Sequence, residues 1–87
     1  MRTVLRGRPW PLGSSLSAHG VNFSVAAPGA NRVELLLFNS GAATSPSEVI
    51  DLEGDRHRSG DYWHVEIPGL SEGCRYGYRV FGPLAPG

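Results

Sequence analysis

Hydrophobic and polar residues alternate along several short stretches of the 87-residue chain. A period of two is typical of half-buried β-strands. In residues 21–27 the valines and the phenylalanine share one face, and Asn22 and Ser24 share the other. Residues 62–67 alternate in the same way, with Trp63 on the apolar face. Because no segment shows apolar residues at helical spacing over three turns, the pattern predicts an all-β protein.

Three further strands are predicted at Arg32–Phe38, Glu48–Leu52 and Arg75–Phe81, with turn residues between them. The first of these becomes apolar on both faces, which predicts a central strand. Residues 7–17 allow at most an edge strand, since prolines cannot donate to a central ladder. Five or six short strands indicate a single immunoglobulin-like antiparallel β-sandwich over residues 1–87.

The alternation also sorts the large side chains into a predicted core and a predicted surface. The core set is Phe23, Leu35, Trp63, Tyr76 and Tyr78. The aromatic residues that fall on the opposite faces, or in an irregular segment, are Trp10, Tyr62 and Phe81. These three are the candidates for a surface patch that meets either a sugar or another protein domain. The alternation favours neither partner over the other.

Composition and charge exclude several classes of protein. The eight basic residues balance eight acidic ones and form no basic stripe, so nucleic acid is not an expected partner. The single cysteine, Cys74, rules out an internal disulfide. No apolar run approaches the roughly 20 residues that cross a bilayer, and residues 1–8 lack the apolar part of a signal peptide. We therefore expect a cytoplasmic protein with no membrane partner.

The sequence offers no constellation that predicts catalysis, a metal or a cofactor. The three histidines, His19, His57 and His64, lack a third ligand at metal-binding spacing. The acids at residues 53, 55 and 61 are close in sequence, but they flank a polar loop and are interpreted as solvated turn residues. We expect no catalytic residue, no metal and no cofactor in this chain.

Five stretches in order resemble one family: residues 11–14 (PLGS), 20–25 (GVNFSV), 32–38 (RVELLLF), 60–65 (GDYWHV) and 73–83 (GCRYGYRVFGP). They are similar to the opening region of isoamylase-type glycogen debranching enzymes, and the last stretch is the most specific. Position 81 is most often His in that family and is Phe here. The resemblance implies an N-terminal immunoglobulin-like domain of carbohydrate-binding module family 48. It also implies that a catalytic barrel follows, which hydrolyses the α-1,6 branch linkages of glycogen or amylopectin. The 87 residues are therefore expected to be a fragment of a longer enzyme, with that barrel and α-glucan as partners.

The chain departs from the family where glycogen-binding members stack sugar. Those members carry a Trp after the second strand, and a Lys and a second Trp around the last strand. Residues 39–44 contain no aromatic ring here, and Gly77 and Leu84 stand near the other two positions. The leading hypothesis is accordingly a scaffold that packs on the barrel. The alternatives are an autonomous glycogen- or starch-binding module, the same domain of a branching enzyme or trehalose-releasing hydrolase, and an immunoglobulin-like interaction domain with no link to sugar.

Overall fold

The computed structural model describes residues 3–38, 44–71 and 73–82, which form strands and turns. The strands are β1 (Gly13–Leu16), β2 (Gly20–Ala26), β3 (Arg32–Phe38), β4 (Glu48–Leu52), β5 (Arg58–Ser59), β6 (Tyr62–Pro68) and β7 (Arg75–Phe81). The described residues contain no helix, so none is long and apolar enough to cross a membrane.

Two antiparallel sheets form an immunoglobulin-like β-sandwich. The first sheet has the order β1-β2-β6-β5, and the second has the order β4-β3-β7. The alternation located β3, β4 and β7 with the observed bounds, and β3 is the central strand of its sheet as predicted. β1 is an edge strand within residues 7–17. β5 was not predicted, because two residues are too few to show a period of two.

The inward-facing side chains of both sheets form one apolar core. Its buried members are Val21, Phe23, Ala27, Ala30, Val33, Leu35, Leu37, Leu52, Trp63, Val65 and Ile67. Trp63 is 1% exposed, and it pairs with Val25 across β2 and β6. The cross-strand register brings the apolar positions of neighbouring strands onto one face, which is why alternation alone locates the core.

Two tyrosines of β7 close one side of this core. Tyr76 and Tyr78 are partly buried, and their ring centroids lie 5.7 Å apart. Tyr76 also meets the ring of Phe23 edge-on at 4.9 Å, which joins the two sheets. The Tyr78 hydroxyl is buried without a hydrogen-bond partner among the described residues. Its burial raises the pKa of Tyr78 above the ordinary value, and the nearby Tyr76 raises that pKa further.

The turn between β4 and β5, which is polar in sequence, buries a histidine. His57 is 1% exposed. Its Nδ1 atom accepts a hydrogen bond from the backbone N–H of Glu53 at 3.2 Å, so the ring is held neutral. Burial lowers the pKa of His57, and the charges of Arg56 and His64 lower it further. The local sequence is polar because the turn around the ring is exposed, although the ring itself packs inward.

Candidate functional site

Trp10 and Tyr62 form an aromatic pair on the outer face of the first sheet. Their ring centroids are 5.2 Å apart and the planes are tilted by 51°. Trp10 is 57% exposed, whereas Tyr62 is half-buried. The indole therefore presents much of its surface to solvent and rests on the tyrosine ring. Residues distant in sequence are brought together here, so alternation could not have shown the pairing.

Residues 5–10, which we call the N-terminal segment, cross the outer face of β2 and β6 and carry Trp10 to this position. Leu5 and Glu66 exchange backbone hydrogen bonds of 2.9 and 3.0 Å. The His64 ring lies 2.8 Å from the carbonyl oxygen of Arg6, and because a carbonyl only accepts, Nδ1 donates the hydrogen. The other ring nitrogen lies 2.8 Å from the Ser59 hydroxyl.

Two polar residues of β2 hold the next part of the segment. The Asn22 side chain accepts from the Arg8 N–H at 2.9 Å and donates to the Arg8 carbonyl at 3.0 Å. The Ser24 hydroxyl donates to the Pro9 carbonyl at 2.8 Å. Asn22, Ser24 and His64 are thus on the outward face, as alternation predicts, yet each is no more than 2% exposed. Their polar groups replace water by binding the main chain of the segment.

Gly7 permits the close approach of this segment to the sheet. It has a φ of 72°, in the left-handed region that favours glycine. A Cβ atom there would stand 2.7 Å from both the Asn22 side-chain oxygen and the Val65 carbonyl carbon. Because one of these neighbours is backbone, a side chain at position 7 would force the segment away from the sheet.

Phe81 lies apart from the other two surface aromatics. It ends β7 opposite Arg32, on the outer face of the second sheet, and is 37% exposed. The Arg32 guanidinium lies over its ring, 5.1 Å from the centroid. The three candidates therefore do not form one patch, because Trp10 and Tyr62 belong to the outer face of the opposite sheet.

A network of ion pairs borders Phe81, which the sequence did not single out. The carboxylate of Glu34 is 8% exposed and lies 2.9 Å from both Arg32 and Arg79. Arg32 also meets Asp51 at 3.0 Å. Glu34 occupies an outward position of the central strand, and its neighbours in register are Asp51 and Arg79. In the sequence, Glu34 could have been noticed as the single acid inside an apolar strand. Its partners could not, because they depend on how the strands pair.

The rim of the sandwich beside Phe81 is also open and apolar. Val80 is 52% exposed, although it lies on the inward-facing side of β7. It lines an open depression of about 210 Å³ together with Pro28, Gly29, Ala30 and Gly82. The turn between β2 and β3 thus meets the end of β7 without covering it.

The family's sugar-stacking positions are only partly within the described residues. Gly77 lies on the outer face of the second sheet, and nothing stands within 4 Å of the point where its Cβ would be. Val49, on the same face, is 49% exposed. Leu84 and residues 39–43 lie outside the described residues. Gly77 thus leaves open space where glycogen-binding relatives are expected to carry a Lys side chain.

No arrangement for catalysis is found among the described residues. Glu53, Asp55 and Asp61 are exposed at turns, and they line neither the depression at Val80 nor the small cleft beside Cys74. The described histidines, cysteine and acids form no group of three that could hold a metal ion. The exposed surfaces described above are aromatic or apolar, and an arginine borders the one at Phe81.

Comparison with known proteins identifies the family of the chain. The family model for carbohydrate-binding module 48, described as the isoamylase N-terminal domain, matches residues 11–85. A glycogen debranching enzyme from Pectobacterium carotovorum subsp. carotovorum (strain PC1) is 40% identical over 86 residues. That match covers 99% of this chain but only 12% of the enzyme. The matched residues, together with the strand order and the core, show that the chain belongs to the carbohydrate-binding module 48 family of isoamylase N-terminal domains.

Proposed function

We propose that this chain is the non-catalytic N-terminal module of a glycogen debranching enzyme, and that it packs on a catalytic barrel that follows it. The parent would hydrolyse α-1,6 branch linkages in glycogen or amylopectin. The 40% identity to a glycogen debranching enzyme supports this parent. So does the run Tyr76–Val80 followed by Gly82 and Pro83, which resembles the closing motif of debranching enzymes more than that of branching or trehalose-releasing relatives. A cytoplasmic location belongs to the same proposal.

The observation that carries the proposal is the open apolar rim at the end of β7. Val80 is 52% exposed and Phe81 37% exposed, beside the depression that reaches Ala30. A domain that follows residue 87 is tethered close to this rim by the chain itself. Covering the rim would remove apolar surface from water, which is favourable by about 25 cal/mol per Å².

The charges around the rim suit a protein partner. Arginines and aromatic residues are the side chains most often responsible for binding energy at interfaces. Arg32 lies over the Phe81 ring and is held there by Asp51 and Glu34. An apolar centre with a polar border is the usual anatomy of a domain or protein interface. We therefore place the barrel against Val80, Phe81 and Arg32.

A chimeric enzyme tests this function. The matching N-terminal region of the Pectobacterium enzyme is replaced by this chain, and release of reducing ends from glycogen is measured. We expect the chimera to hydrolyse glycogen within about tenfold of the parent enzyme and to melt in one transition. Deleting the region altogether should lower the melting temperature of the remaining enzyme.

Two substitutions in the chimera make the test specific. Phe81→Glu places a charge at the proposed interface and should separate the melting of the module from that of the barrel. Leu16→Glu places the same charge at an exposed apolar position in the edge strand of the first sheet, so it is the control and should leave a single transition. Independent melting of the module in the unsubstituted chimera would refute the docking proposal.

A further inference from the structure

The Trp10–Tyr62 pair has features that domain docking at the rim does not explain. Trp10 is 57% exposed, an unusual exposure for the largest apolar side chain. The pair lies on the outer face of the first sheet, whereas Phe81 lies on that of the second. The indole and Phe81 therefore face opposite sides of the sandwich.

The exposed indole is also held firmly. The backbone just before it is bound through the Pro9 carbonyl to Ser24 and through Arg8 to Asn22, in bonds of 2.8 to 3.0 Å. Both side chains that make these bonds are no more than 2% exposed, so water competes little for them. The Tyr62 ring supports the indole from one side. A ligand would meet a surface that is already ordered, which lowers the entropic cost of binding.

The chemistry of this surface fits a sugar ring. A glucopyranose has an apolar side of C–H groups and a polar edge of hydroxyls. An indole offers a flat apolar face of similar size, with one N–H donor at its edge. A flat ring with an apolar face binds an exposed aromatic side chain by stacking, and stacking does not require a concave pocket. In the chain, the exposed Asp61 precedes Tyr62 and the exposed Arg8 lies two residues before Trp10.

We propose that Trp10, supported by Tyr62, is a stacking platform for one glucose residue of a linear α-1,4-linked glucan. The proposal rests on the proposed function for the choice of glucan as the ligand, but not for the location of the site. It differs from the family's stacking positions, which fall on residues 39–44, Gly77 and Leu84 in this chain. A single ring predicts weak binding, with a dissociation constant on the order of 1 mM.

The test is a titration of the 87-residue chain with maltoheptaose, followed by amide and indole N–H shifts in NMR spectra. We expect saturable shifts at the Trp10 indole and at the amides of Tyr62 and its neighbours. Trp10→Leu keeps an apolar contact with Tyr62 but removes the flat ring, and it should weaken binding at least tenfold. Leu16→Ala is the control, because Leu16 is also 57% exposed and should not affect the titration.

Each outcome bears on the site. If Trp10→Leu keeps a native amide spectrum and binds maltoheptaose as the unsubstituted chain does, the platform is refuted. Shifts confined to the outer face of the second sheet, with a silent Trp10 indole, also refute it. These results leave the chimera experiment untouched, since docking through Phe81 does not require Trp10. Conversely, a module that melts independently in the chimera but still titrates at Trp10 would refute docking alone.

Discussion

The outer face of the first sheet is covered, whereas the outer face of the second sheet is open. On the first, Asn22, Ser24 and His64 are buried beneath the N-terminal segment. On the second, Val49 and Phe81 remain exposed. Both faces carry polar residues, so polarity alone does not distinguish them. The difference is that Asn22, Ser24 and His64 each bind the main chain of the N-terminal segment, whereas Glu34 on the second face binds the side chains of Arg32 and Arg79.

The two faces differ in which of their side chains remain available to a partner. Buried polar atoms that bind a segment of the same chain stabilise the fold and are not available to a partner. A face on which arginines frame exposed apolar side chains keeps its surface available. The first sheet therefore supports the fold and positions Trp10 at the end of the segment, and the second sheet and its rim are free for a domain partner.

The largest expected effect lies in the core that both sheets share. Trp63→Ala removes a side chain that is 1% exposed and leaves a cavity. The expected loss is about 3–5 kcal/mol, which is comparable to the whole stability of a domain of this size. Thermal melting followed by circular dichroism should show a largely unfolded protein at 25 °C. A cooperative melt close to that of the unsubstituted chain would show that Trp63 is not a core residue.

The next effect tests whether the N-terminal segment really lies against the first sheet. Gly7→Ala places a Cβ 2.7 Å from backbone, whereas Gly69→Ala, at a φ of 86°, places one in open space. Both substitutions cost about 1–2 kcal/mol for the left-handed conformation. Gly7→Ala should cost roughly 1–3 kcal/mol more, because the contact forces the segment outward. Urea unfolding of both variants measures the difference, and equal losses would mean that the segment is not in close contact.

A matched pair of polar substitutions compares the two faces directly. Asn22→Ala leaves the Arg8 N–H and carbonyl without partners, so it should cost about 1–3 kcal/mol. Arg79→Ala removes a half-exposed arginine from Glu34, which retains Arg32, and should cost about 0–1 kcal/mol. The same urea series measures both. If Arg79→Ala were the more destabilising, the assignment of the faces would be reversed.

The smallest effect is a dependence of stability on pH. Burial lowers the pKa of His57 below its ordinary value of about 6.5. Below that pH the unfolded chain takes up a proton that the folded ring resists, so stability falls as the pH falls from 7 to 5. One proton changes the free energy of unfolding by at most about 1.4 kcal/mol per pH unit. His57→Gln should reduce this slope, and an unchanged slope would assign it to other groups.

Much of the fold follows from local pattern, but the covering of its first sheet does not. Turn residues border β3, β4 and β7 in the sequence, so their bounds could be predicted. The N-terminal segment has no period, and its prolines and glycines indicated only that a central strand is excluded. Its bonds join main-chain atoms to side chains far along the chain, and those partners are set by the assembled sheet.

The sequence predicted which residues belong to the candidate site, but not how they are arranged. The alternation placed Tyr62 and Phe81 on faces opposite the core, and Trp10 fell in an irregular segment. Alternation carries no information about which sheet lies beside which segment. The pairing of Trp10 with Tyr62 depends on the path of the N-terminal segment. The ion pairs of Glu34 depend on the register of β3 with its two neighbours, which sequence alternation alone leaves open.

Hydrogen–deuterium exchange tests the contrast between the two faces most directly. Deuterium uptake is compared between the isolated chain and the chimera that carries the barrel. The account predicts slower exchange in the chimera for peptides that contain β7 and the turn before β3, and unchanged exchange for the N-terminal segment. Slower exchange in the N-terminal segment, with β7 unchanged, would contradict it and place the partner on the first sheet.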